Sequence, residues 1–171
     1  MIKRNNVVLV NEQDHPIGEM EKMEAHLKGE LHRAFSVFIF NDKDEMLLQQ
    51  RAMSKYHGGG LWTNACCSHP QFTEQVKDAA TERLKFEMGL SCDLVFLFSF
   101  IYKIEVENNL IEHELDHVFI GKTNNQPYPN NIEVENYKWT SVEYLKKDVE
   151  NNPERYTYWF RAALPKVLKM I

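Results

Sequence analysis

The chain has 171 residues, of which 43% are hydrophobic and 26% charged, a balance that suits a single folded domain over 1–171 and excludes a wholly disordered chain. A chain of this length hides roughly 68–70% of its unfolded surface on folding, so it needs neither disulfide nor metal merely to stay folded. Twenty basic against 25 acidic residues leave a net charge of −5, which argues against general nucleic-acid or anionic-membrane binding, because either wants a basic surface. The start, Met1-Ile2-Lys3-Arg4-Asn5-Asn6, carries charge with no apolar run behind it of secretory-signal length. The most apolar stretch, Leu94 to Ile101, falls far short of the ~20 residues of a membrane span. Cys66, Cys67 and Cys92 are odd in number and two are adjacent, a poor disulfide framework that points to a reduced, cytoplasmic compartment.

In chain order, Val7–Val10 reads as a strand, Asp14–Gly18 as a turn and Glu19–Leu27 as one or two helical turns. His32–Phe40 is a strand with His32, Ala34, Ser36, Phe38 and Phe40 on one face, and Met46–Arg51 returns from the Asn41–Asp44 turn as a hairpin. A loop centred on Gly58-Gly59-Gly60 follows, then a strand over Trp62–Cys67. Thr73–Met88 is the clearest helix, with Thr73 as N-cap and Gly89 as its stop. Leu94–Val106, Ile111–Gly121 and Val134–Thr140 read as strands, Ser141–Val149 as a helix, and Pro153–Met170 as a helical region that Pro165 begins, kinks or breaks. The pattern predicts an α+β fold with a mixed or antiparallel sheet.

Five constellations can do chemistry. In Ile111–Phe119, read as a strand, Glu112, Glu114 and Asp116 share one face, close enough to bind one metal or to divide metal ligation from proton transfer; a solvent-facing polar edge is the plainer reading. Cys66-Cys67-Ser68-His69-Pro70 offers a reactive thiol or a ligand pair, against the alternative of a small buried hydrophobe beside a capping histidine. With His26, His32 and His69 the two glutamates make five donors of metal-binding type: imidazole suits Zn, Mn, Fe and Co, and carboxylate suits Mn and Mg. On the central helix, Arg83 and Glu87 lie one turn apart, either a plain ion pair or an anion contact and a metal ligand pointed inward. Lys22, Arg51 and Lys55 around the triple glycine are the groups a phosphate needs.

Trp62-Thr63-Asn64-Ala65-Cys66-Cys67-Ser68-His69-Pro70 and Glu112-His113-Glu114 together resemble the two signatures of type I isopentenyl-diphosphate Δ-isomerases. Arg51–Lys55, His26, His32 and Trp159-Phe160 fall in place beside them, so the resemblance covers nearly the whole chain. It implies a Nudix-like mixed sheet flanked by helices. Against the hydrolase box G-x5-E-x7-R-E-U-x-E-E-x-G-U, the chain keeps Glu74, Leu84, Glu87, Gly89 and Leu90. It has Ser68 at the first Gly, Glu82 and Arg83 at the Arg-Glu pair, and Phe86 at the first paired glutamate. The break favours isomerisation over diphosphate hydrolysis; a metal-dependent binding module without turnover is the third reading. The resemblance implies that His26, His32, His69, Glu112 and Glu114 bind one Mn2+, Mg2+ or Zn2+. It implies that Glu87 helps hold a second Mg2+, and that Lys22, Arg51, Lys55 and Arg83 contact the diphosphate of a small-molecule substrate. Cys67 and Glu114 would transfer protons, helped by Tyr102, and Trp159 would cover the hydrocarbon. The chain would work as a monomer or weak homodimer. Gly58-Gly59-Gly60 and Tyr158 stand where relatives often have Pro or Ser, and Pro.

Overall fold

A computed structural model describes residues 3–171; Met1 and Ile2, the first two residues of the segment weighed as a secretory signal, lie outside them. Strands β1 (Asn6–Val10) and β2 (Pro16–Glu21) lead into α1 (Lys22–Lys28). Then come β3 (His32–Phe40), β4 (Glu45–Arg51), β5 (Trp62–Thr63), β6 (Cys66–Ser68) and α2 (Val76–Met88). β7 (Leu94–Glu105), β8 (Ile111–Lys122), β9 (Val134–Ser141), α3 (Val142–Asn151) and α4 (Tyr158–Met170) complete the order. Among the described residues the nine strands form one mixed sheet, the α+β arrangement that the sequence predicts.

β3 is its spine. It pairs in parallel with β8 from His32↔Glu114 to Phe40↔Lys122, and antiparallel with β6 over Phe35–Val37. Every residue from Ala34 to Phe40 is buried, as expected of a strand covered on both faces. Phe35, Val37 and Ile39 point into one core with Ala80, Leu84 and Met88 of α2. Phe38 and Phe40 point into a second core with Phe160, Ala163, Leu164 and Val167 of α4. The sheet is thus packed between α2 on one side and α4 on the other. Pro165 lies inside α4 without ending it.

Several elements depart from expectation, each for a tertiary reason. Glu19–Glu21 is strand rather than helix, because Val7 and Val8 offer a paired edge to Met20 and Glu19; α1 begins only at Lys22, capped by the Glu21 side chain on the Glu24 amide. α2 starts at Val76 with Gln75 at its cap, not at Thr73, because Glu74 is held in a preceding turn by Arg4 at 2.8 Å and by the Gln71 amide at 2.7 Å. The β3–β4 hairpin closes its ladder only at Phe40↔Met46. Beyond that point the strands splay, and β4 pairs with β9 and β5 instead. The single strand expected over Trp62–Cys67 is two: β5 lies on β4 and β6 on β3, so the segment bridges the fork.

Leu84 is fully buried between α2 and the sheet. Leu84→Ala should therefore cost about 2–5 kcal/mol, read as a lower midpoint at unchanged slope in chemical denaturation; a loss within a few tenths would show that α2 does not anchor this core.

Candidate active site

The fork between β3 and β4 holds the site. Asn64, fully buried, spans it: both protons of its amide are used, on the Val37 carbonyl at 3.0 Å and the Cys66 carbonyl at 2.9 Å. That fixes its Oδ1 as an acceptor, which receives the Thr63 hydroxyl at 2.9 Å and the Cys67 thiol at 3.1 Å. Thr157, just ahead of α4, donates in turn to Thr63, so the start of α4 is tied to the same motif. Strand alternation sends Cys66 into the α2 core and Cys67 into the cleft. The indole of Trp159 donates to the Cys67 sulfur at 3.1 Å. Ser36, opposite Cys67 in the ladder, lies 3.6 Å from that sulfur and donates to Asp116 at 2.7 Å.

On the facing side, β8 presents Glu112, Glu114 and Asp116 inward, all buried. His113 and His117 turn to the opposite face, where they meet Gly29 and Asp14. The Tyr102 hydroxyl, across the β7–β8 ladder from Glu114, donates to its Oε2 at 2.5 Å. The other oxygen, Oε1, lies 2.9 Å from His69 Nε2 and 3.4 Å from His32 Nε2. His26 Nε2 is 3.2 Å from Glu112 Oε1, and His57, from the loop before the triple glycine, closes on the same oxygen.

His26 Nδ1 is 2.6 Å from the Lys22 carbonyl and His32 Nδ1 is 2.8 Å from the Glu30 carbonyl. A carbonyl only accepts, so each Nδ1 carries the proton, and the neutral ring points a bare Nε2 lone pair at a carboxylate. His26 Nε2, His32 Nε2 and Glu112 Oε1 are buried without a hydrogen-bond partner. Buried polar atoms are rarely left so, and acceptors that face acceptors require a proton or a cation between them. His26, His32, His69 and Glu114 bring their donor atoms within 4.8 Å of one another, and His26, His57 and Glu112 do the same. These donor types fit a divalent cation.

The environment shapes the acids. Burial, and after it Asp116, pushes the Cys67 thiol up to about 12. Burial, then the neighbouring Glu114, raises the Asp116 carboxyl to about 8. Burial pulls His69 down to about 4 despite its bond to Glu114. Burial also opposes charge on Glu114, yet the contacts of His32 and His69 hold its carboxyl well below the ordinary range.

Two connected cavities open here. A narrow one of about 40 Å³ is walled by Cys67, Tyr102, Glu114 and Trp159. A wider one of about 240 Å³ gathers Lys22, Arg51, Lys55, Arg83 and Glu87 with Arg4 and Glu133. Cys67 and His69 line both cavities, so the wider one adjoins the histidine cluster, although Glu87 is in neither group of converging donors. Glu87 accepts from Arg83 at 2.6 Å and from Gln49 at 3.0 Å. Lys55 and Arg83 both engage Glu133, Lys22 sits over the Tyr56 ring at 5.0 Å, and the Arg51 guanidinium over Trp159 at 5.2 Å. Gly58, at φ +61°, and Gly60, at φ +80°, supply left-handed turns that few other residues accept; a Cβ on Gly59 would meet the Met53 carbonyl oxygen at 2.7 Å.

Sequence reasoning missed His57, Ser36, Asn64 and Glu133. His57 adjoins the triple glycine, in a loop whose glycines and lysine carry the clearer signal. Asn64 lies inside the quoted motif, but only the structure shows what its amide bridges. Glu133, in the turn before β9, carries no local signal.

A thiol held near 12 is almost all protonated at pH 8, so iodoacetamide should alkylate Cys67 more than about a hundredfold slower than a free cysteine of pKa about 8.5, followed by peptide mass spectrometry. Labelling at the free-thiol rate would show a thiolate instead.

The chain matches the model of the NUDIX domain over residues 30–160. The Isopentenyl-diphosphate Delta-isomerase of Pectobacterium atrosepticum is 49% identical over 161 residues, covering 94% of this chain and 90% of that one. Isopentenyl-diphosphate Delta-isomerase 2 of Photorhabdus laumondii is 50% identical over 158 residues, 92% of this chain and 89% of its own. Among solved structures, DR0079 from Deinococcus radiodurans superposes with a TM-score of 0.76 at 15% identity, over 94% of this chain and 98% of that one. A MutT protein from Methanosarcina mazei superposes with 0.67 at 17% identity, over 81% and 94%. At such identities the structures speak to the fold alone, and it is the Nudix fold. The sequence relatives carry the finer statement: the chain belongs to the isopentenyl-diphosphate Delta-isomerase family of the Nudix fold.

Proposed function

We propose that this enzyme interconverts isopentenyl diphosphate and dimethylallyl diphosphate, with one domain over 1–171 carrying the whole activity. The observation that carries the reading is that Cys67 and the hydrogen-bonded Tyr102–Glu114 pair line the same narrow cavity. Moving a double bond requires a proton delivered to the terminal alkene carbon and another removed from the carbon next to the diphosphate-bearing one, through a tertiary carbocation. Two acid–base groups within reach of those carbons suffice. In either direction Cys67 serves one face and Glu114 the other, one giving and one taking a proton, with their roles exchanged in reverse. Tyr102 holds the Glu114 carboxyl through Oε2, leaving Oε1 to the imidazoles.

A divalent cation among His26, His32, His69, Glu112 and Glu114 would neutralise the two buried carboxylates and fix the orientation of Glu114; Mn2+, Mg2+ and Zn2+ are the candidates. The wider cavity takes the diphosphate, with Lys22, Arg51, Lys55 and Arg83 as its cations. Glu87 there would share a Mg2+ that arrives with the substrate, exchanging a contact with Arg83 or Gln49 for it. The diphosphate does no chemistry; its binding orients the alkene. Trp159, buried over Cys67 and under the Arg51 guanidinium, keeps water from the cation, and an aromatic face stabilises such a charge by ~0.5–2 kcal/mol. Diphosphate hydrolysis is disfavoured by the broken box: Arg83 stands where the box has a glutamate, and is itself paired with Glu87.

Purified protein with Mg2+ and Mn2+ should convert isopentenyl diphosphate to the dimethylallyl isomer without releasing phosphate; no isomer under any metal condition, or phosphate release, overturns the reading. Cys67→Ala and Glu114→Gln should each lose roughly 100-fold or more in kcat with unchanged circular dichroism, whereas Cys66→Ala should be mild. Dialysis against a strong chelator should stop turnover and lower Tm, and Mn2+ should restore both.

A further inference from the structure

We infer that His57 is a further protein donor to the cation of the histidine–glutamate cluster, carried on the substrate-facing loop. His26 Nδ1 is engaged by the Lys22 carbonyl at 2.6 Å, so His26 has one lone pair to offer, on Nε2. Yet it belongs to both donor groups, that of His32, His69 and Glu114 and that of His57 and Glu112. One lone pair serves one ion, so the two groups cannot each hold an ion through His26; in the proposed site His57 and Glu112 join the donors of that one ion from the side of His26.

The surroundings of His57 support this. The ring is 4% exposed, with its centroid 5.9 Å from that of His26. Its Nδ1 has no hydrogen-bond partner, and its Nε2 approaches Glu112 Oε1, an oxygen that His26 Nε2 also faces. Edge-on packing against Trp159 at 5.5 Å and Tyr56 at 4.4 Å fixes the ring. Counting His57, the site offers four imidazoles and two carboxylates, and an imidazole-rich set favours a transition ion over Mg2+.

The loop consequence is direct. Arg51 donates to the His57 carbonyl at 3.0 Å, and Lys55 lies two residues upstream. Glu107 accepts the Gly58 amide and Asn108 donates to the Tyr56 carbonyl at 3.1 Å. An ion held by His57 therefore pins the loop that presents cations to the diphosphate.

This inference rests on the cation reading proposed above, and the experiment separates the two. Wild-type protein labelled at its histidine ring nitrogens is titrated with Zn2+ and followed by NMR. Of the seven histidines in the chain, four (His26, His32, His57 and His69) should move to metal-bound Nε2 shifts. Three shifted rings with His57 unmoved would overturn the role of His57 alone; no shifted ring would overturn the cation site as well. In parallel, His57→Ala and His57→Gln, with metal-free Tm near that of the wild type, should bind Co2+ about 10–100-fold more weakly and change the visible ligand-field bands of bound Co2+. Wild-type affinity and bands in both variants would exclude His57 from the ion.

Discussion

The parallel ladder between β3 and β8 sets His32 beside Glu114 and Ala34 beside Asp116. Strand alternation then puts the acids of β8 and the polar residues of β3 on one face, opposite the α2 core. A slip of one residue would turn Glu112, Glu114 and Asp116 toward that core and His113 and His117 into the cleft. The apolar residues of the same strands hold the register: Phe35, Val37, Ile39 and Phe119 are packed against α2, and Phe38 and Val118 against α4. Packing energy, distributed over two cores, thereby fixes the positions of a few costly charged groups.

Those groups are costly because they are dry. Two carboxylates and several imidazoles are buried within a few ångströms, an arrangement that is unfavourable unless its charges are compensated. The compensation is local. The Tyr102 hydroxyl serves one oxygen of Glu114, and backbone carbonyls hold the Nδ1 protons of His26 and His32, leaving the Nε2 lone pairs converging on the remaining carboxylate oxygens. The net charge of −5 is compatible with an anionic substrate because the wide cavity collects its cations independently of the acidic cluster next to it.

Much of this was legible in the residues. The alternation in Glu112–Asp116 and in His32–Phe40 named the faces correctly, because both strands are long and regular and side chains of a strand alternate in direction whatever their polarity. The opposite directions of Cys66 and Cys67 followed from the same rule. What failed were features decided by distant partners. Pro16–Glu21 lacks strong strand character and is strand because β1 pairs with it. The hairpin splays because β8 and β6 occupy β3. His57 and Glu133 come from loops, where no periodicity reports which way a side chain points. The motifs named the residues of the site, but the bridging of the fork by Asn64 is a long-range geometry with no trace in spacing.

The pairing of Lys55 and Arg83 with Glu133 gives the wide cavity a resident counter-anion. In the proposed reading, an incoming phosphate group would exchange partners with these cations rather than meet them bare, so a single negative charge would gain little by entering. A ligand would have to carry enough charge, spread over enough oxygens, to outbid a carboxylate already in place. The glutamate would then act as a threshold, letting the basic hollow discriminate among small anions by charge density.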